Sequence, residues 1–233
     1  MAYTYLDTTN ELLKRLNEVQ LTSSTFSTAT GIQSLAKDAI NTSQRDIFMA
    51  EQEWPFSYAT TSQTLTAGTK EYSLTSGYLS IDLDTVLIDR NDSLSVEETH
   101  LTPLSYQEYI DRYMERDEQR DSGDRDTPKF VYLTPDYKLG VSPTPDKAYV
   151  VKYTYFKTAT ELSAATDVPE VSSQFKNTLL DGAAYHLYMM RDNVELASIS
   201  KQKFDEGIEK MRTILINRYI RMRDTRVSHV IND

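Results

Sequence analysis

The spacing of apolar residues changes twice along this chain, and those two changes restrict its fold more than any other feature. From Leu12 to Trp54 apolar side chains recur at helical spacing, from Tyr58 to Lys157 they alternate, and from Phe175 onward helical spacing returns. Helical and strand segments therefore occupy separate blocks instead of taking turns, which predicts an α+β protein. The expected architecture is a helical bundle, a long N-terminal helix plus a C-terminal helical hairpin, with an inserted antiparallel β-strand layer. Residues 1–57 and 158–222 are expected to form one helical domain, 58–157 a β-rich insertion with one helix, and 223–233 a C-terminal tail.

Local signals fill in the blocks. Asp7 or Thr9 is placed to cap a short helix through Leu12, Leu13, Leu16 and Val19. A second helix is predicted from Ile32 for about seven turns, until Pro55 forbids continuation. Gly68 reads as the turn of a hairpin between residues 64–66 and 71–74, and residues 96–101 are expected to pair back on a strand at 78–90. Pro103 opens an amphipathic helix with Tyr106, Tyr109, Ile110 and Tyr113 on one face, followed by an exposed charged loop at 115–126. Residues 129–133, 137–141 and 148–157 are predicted to form an antiparallel meander through short Pro/Asp turns. After an irregular connector at 158–170, Phe175, Leu179, Ala183, His186 and Met190 share a helix face with Gly182, which admits a close partner helix. Asp192 and Glu195 read as a capping box for a last helix whose apolar line runs Ala197, Phe204, Ile208, Met211, Leu215, Tyr219 and Met222.

Much chemistry has no residues to carry it. The chain has no cysteine, which removes disulfides, thiolate nucleophiles and the usual structural zinc sites. Its glycines are never closer than nine residues apart, so no phosphate-cradling Gly-rich loop can be written. No cofactor is expected. His100, His186 and His229 are too far apart for a helical metal pair, and His186 reads as a core histidine with one satisfied ring nitrogen. Asp82 and Asp84 share a strand face and could serve a small carboxylate-dependent glycan-cleaving enzyme, but nothing around them predicts a raised pKa. Asp117, Asp121, Asp124 and Asp126 lack the glycine and terminal Glu of a calcium loop. The reading is therefore not an enzyme. No secretory leader and no apolar run long enough to cross a bilayer is expected, hence no membrane partner.

Composition and charge point to partners instead. Sixteen tyrosines stand in for scarce aliphatics, which suits either a subunit that completes its burial against neighbours or a protein rich in strands. The formal net charge is −10, which argues against binding nucleic acid through bulk charge, yet residues 210–226 hold six basic side chains and one acid. There Lys210, Arg212, Arg218, Arg221, Arg223 and Arg226 border an apolar stripe that includes Tyr219 and Met222. A helix of this kind suits an acidic protein groove, anionic lipid or DNA, or is a solvated end whose cations offset the helix dipole.

The order of segments resembles a known family. The motifs Glu53-Trp54-Pro55-Phe56, Leu65-Thr66-Ala67-Gly68-Thr69-Lys70-Glu71-Tyr72, Thr127-Pro128-Lys129-Phe130-Val131-Tyr132, Pro143-Thr144-Pro145-Asp146 and Leu179-Leu180-Asp181-Gly182-Ala183-Ala184-Tyr185-His186 are similar to those of phage head-to-tail adaptor (connector) proteins, among them the tail tubular protein A type of short-tailed phages. The resemblance implies a homo-oligomeric ring, commonly a dodecamer, in the virion neck, assembled in the host cytoplasm. Its partners would be the portal protein and the tail nozzle protein, with genomic DNA passing through the lumen without specific binding. The basic residues named above, with Tyr219 and Met222, would then dock on the portal. Another neck or tail-completion protein is the alternative.

Overall fold

The computed structural model describes residues 3–89, 98–118 and 125–216. The architecture is α+β, and the chain forms two compact units, one from residues up to Ser57 together with those from Thr158 onward, the other Tyr58–Lys157.

In the first unit, α1 (Tyr5–Arg15) starts one turn earlier than expected, because Thr4 is the cap and Asp7 its capping-box partner. Helix α2 (Ile32–Ala50) is also shorter than predicted and ends before Trp54. Trp54 still lies fully buried, because the chain turns back and its indole N–H donates to the Ile47 carbonyl at 2.7 Å. Helix α5 (Lys176–Met190) packs on α2 and on α6 (Val194–Leu215), α3 and α4 belonging to the second unit below. The expectation for Gly182 holds, since a Cβ there would collide with Ser43 of α2 and Phe204 of α6. Asn193, not Asp192, caps α6 by accepting from the Leu196 N–H, while Asp192 takes a positive φ of 54° in the turn. The connector after Thr158 is irregular but tied down: Asn41 donates to the Leu162 carbonyl and accepts from its N–H, both at 3.0 Å. Leu12, Leu13, Ile40, Ile47, Phe48, Leu179, Leu180 and Leu187 fill the interior.

In the second unit, the expected single layer is two four-stranded sheets over a shared core. One sheet runs β1 (Tyr58–Leu65), β8 (Tyr149–Lys157), β3 (Tyr78–Asp89), β4 (Glu98–His100), all antiparallel. The other runs β2 (Glu71–Ser73), β7 (Lys138–Ser142), β6 (Phe130–Leu133), β5 (Thr102–Leu104), and its β5–β6 pair is parallel. Two sequence expectations fail here. β1 and β2 flank the Gly68 turn without forming a hairpin, because each pairs in a different sheet, and the meander is broken because β8 leaves β7 for the centre of the first sheet. The pairing of β3 with β4 is as expected.

Pro103 sits within β5 and opens no helix. Helix α3 (Tyr106–Tyr109) starts after Ser105, whose hydroxyl and Glu108 form a capping box. It continues through a π turn (Ile110–Met114) into α4 (Glu115–Glu118), so the first residues of the expected charged loop are helical and Asp117 is buried. Tyr109 anchors this segment by stacking on Tyr132, ring centroids 3.9 Å apart.

Candidate docking surface

The basic end of α6 was the sequence's candidate site, and its two described cations have different roles. Arg212 is held by its own unit: its guanidinium donates to the Ala50 carbonyl at 2.6 Å and to Glu209 at 2.6 Å, with Glu51 3.6 Å from Nε. Ala50 is the last residue of α2, so Arg212 serves a carbonyl that the helix end leaves without an internal partner. Lys210, by contrast, forms no ion pair with any described residue and is available to a partner. Arg218, Tyr219, Arg221, Met222, Arg223 and Arg226 lie outside the described residues.

Beside Arg212 the helices leave an open groove of about 1600 Å³ between the C-terminal half of α2, α5 and α6. Met49, Ala50, Met189, Val194 and Ile208 supply apolar lining, and Asp46, Asp205, Glu206 and Glu209 supply carboxylates. Met49 and Val194 are 69% and 68% exposed. Sequence reasoning missed this groove. Its signal was present as apolar residues standing off the core line of their helices, Met49 on α2 and Val194 on α6, but only the packing of α2 and α6 on α5 joins them into one surface.

His186 is not the core residue expected. Its side chain is partly exposed, and Nε2 lies 2.7 Å from the Asp46 carboxylate at the groove edge, so the expected satisfied ring nitrogen is present without full burial. Asp82 and Asp84 lie where the β3–β8 pairing is interrupted. There the Asp82 carboxylate accepts from the Asp84 backbone N–H at 3.1 Å, a local turn contact. Among the described residues no three His, Cys, Asp or Glu side chains gather as a metal ion would require, and no helix is long and apolar enough to cross a membrane.

The arrangement is an apolar groove with mixed charge at its rim and Lys210 among its lining residues, which suits the docking of another protein chain. A sequence model described as SU10 adaptor protein matches residues 3–228. No curated protein matches the chain.

Proposed function

Given that this chain belongs to the SU10 adaptor protein family, a structural family of phage adaptors, we propose that it forms a ring in the virion neck that joins the portal to the tail nozzle and lets DNA pass. The family match over nearly the whole chain carries the reading. Physical features support its details. A net charge of −10 suits a wall past which DNA must slide, because a basic lumen would hold phosphates and retard passage. The basic run at 210–226 suits attachment to an acidic protein surface, and we assign Lys210, Arg212, Arg218, Tyr219, Arg221, Met222, Arg223 and Arg226 to the portal contact. Arg212 contributes there by holding the end of α6 on α2. Such a protein acts by contact and needs neither catalysis nor a cofactor.

Electron microscopy of the purified chain mixed with portal particles tests the ring. The expected result is annular density seated under the portal; density elsewhere in the neck assigns the chain to tail completion instead. Truncation after Arg212 tests the attachment. The shortened chain is expected to keep its circular dichroism spectrum and lose sedimentation with portal particles, and unchanged co-sedimentation refutes the assigned contact.

A further inference from the structure

Each sheet of the β unit ends in two edge strands, and three of these four are blunted. β2, β4 and β5 span 3 residues each and carry Glu71, Glu98 and Pro103. Short length, charge and proline are the devices that keep an edge strand from adding another. The remaining edge, β1, has none of them. It runs for 8 residues, Tyr58-Ala59-Thr60-Thr61-Ser62-Gln63-Thr64-Leu65, without a charged side chain or a proline. Its backbone is bonded on one side only, to β8. Every second residue of such a strand turns its N–H and C=O away from the neighbour. Among the described residues no other element bonds to these outward groups.

The side chains of β1 select what fits this edge. Thr60, Ser62 and Thr64 stand on its exposed face, and their order reads the same in either direction. We propose that β1 pairs with β1 of a second copy, antiparallel and centred on Ser62, so that the two sheets join into one. This register sets Ser62 opposite Ser62 and Thr60 opposite Thr64, and cross-strand pairs of hydroxyl residues are favourable. It also keeps the exposed face of one copy continuous with that of the other. A shift by one residue would set Thr60, Ser62 and Thr64 against the half-buried face that holds Ala59, Thr61 and Gln63. Because β1 is uncharged, no like charges meet. Among the described residues a second copy offers no other edge of this length, and a ladder on β2, β4 or β5 would hold at most 3 residues. Contact between like edges stops at two copies, so this pairing belongs to the free chain, is separate from the ring contact and does not rest on the ring reading. A single ladder is smaller than a standard stable interface, and the pair can therefore open again.

The absence of cysteine makes a direct test possible. Ser62→Cys is introduced into the full chain, and a short bis-maleimide is added at rising protein concentration. Thr99→Cys on β4, at the opposite edge of the same sheet, is the control. Ser62→Cys is expected to give linked dimers and nothing larger on a denaturing gel, and Thr99→Cys to remain monomeric. Dimers from both variants alike, or from neither, overturn the pairing. A ladder that needs both cysteines in one chain assigns a head-to-tail sheet, β1 on β4, and overturns it as well. Sedimentation velocity of Ser62→Lys and Ser62→Glu supplies a second measurement on an exposed position. Each is expected to weaken self-association roughly tenfold, because like charges then face each other across the ladder, and an equimolar mixture of the two is expected to recover most of the loss. An unsubstituted chain that stays monomeric at every concentration, or a mixture that associates no better than either variant alone, overturns the pairing.

Discussion

The helical unit fills its interior with long aliphatics around Trp54 and Phe48, whereas the β unit fills its interior with valines and tyrosines. Among the described residues, five of the seven buried tyrosines, Tyr72, Tyr109, Tyr132, Tyr149 and Tyr153, belong to the β unit. Three of these put their hydroxyls to use at the edge of the core. Tyr72 donates to the Thr69 carbonyl at 2.6 Å, Tyr149 donates to Asp146 at 2.6 Å, and Tyr153 accepts from the Thr75 N–H at 3.4 Å. Tyr109 and Tyr132 bury theirs without a hydrogen-bond partner. Burial, with the Tyr109 hydroxyl beside it, pushes the Tyr132 phenol well above its ordinary pKa. A sheet core is thin, and a ring with a polar tip can cross it and end at the rim. The helical interior holds only two tyrosines among the described residues, Tyr3 and Tyr5, and their hydroxyls donate to the Val171 and Lys37 carbonyls, both at 2.9 Å. Part of the tyrosine content therefore serves the strands, while exposed Tyr58 and Tyr137 remain on the surface.

The contrast can be broken from either side. The largest effect belongs to Trp54→Ala, which empties a fully buried site in the helical unit and is expected to cost about 3–5 kcal/mol in denaturant unfolding. Hydrogen exchange should place the lost protection among the amides of α2 and α5; equal loss in the β strands would show that the two interiors do not act as separate cores. Gly140→Ala is the β counterpart, because a methyl group there would overlap the Tyr132 ring. Overpacking of this kind is expected to cost about 1–3 kcal/mol, read by thermal unfolding.

A finer distinction separates tyrosines within the β unit. Tyr72→Phe removes a bonded hydroxyl and is expected to cost about 1 kcal/mol, while Tyr132→Phe removes an unpartnered one and is expected to be neutral or stabilising. Equal losses in the two variants would mean that the Tyr132 hydroxyl has a partner. The smallest effect is that of acid on the helical unit. Backbone N–H groups, of Thr4 on Asp7 and of Ser163 and Ala164 on Asp167, hold both carboxyls below their ordinary pKa. Groups lowered in the folded state contribute stability above their unfolded pKa and lose it as pH falls through the folded value. A modest decline in stability is therefore expected below about pH 4, and Asp167→Asn should flatten part of it.

Much of the molecule was legible before any coordinates. The α+β class, the positions of α5 and α6, the pairing of β3 with β4 and the close approach at Gly182 all rest on spacing along one segment or on a missing side chain. The errors share a cause. Trp54 continues the periodicity of α2, and periodicity cannot distinguish a residue in the helix from one that returns to the same face by a turn. Alternation in residues 64–74 marks strands but is blind to the partner, and β1 and β2 find theirs in different sheets. His186 lies on an apolar helix face, yet the neighbouring Asp46 comes from another helix and draws it to the edge of the groove. The two described members of the basic cluster, Lys210 and Arg212, look equivalent as residues, and only the position of the α2 end makes Arg212 internal.

The amino-acid sequence alone determined which blocks of the chain favour helix and which favour strand, because backbone geometry and capping act over a few neighbouring residues. It also determined which chemistries are closed, since a chain without cysteine or Gly-rich loops cannot supply them. Only the tertiary structure decided that β8 should stand between β1 and β3, and that Met49, Met189 and Val194 should line one groove. Those outcomes depend on contacts between residues distant in the chain, and their free energy is settled by the competition among all possible partners, which no local pattern records.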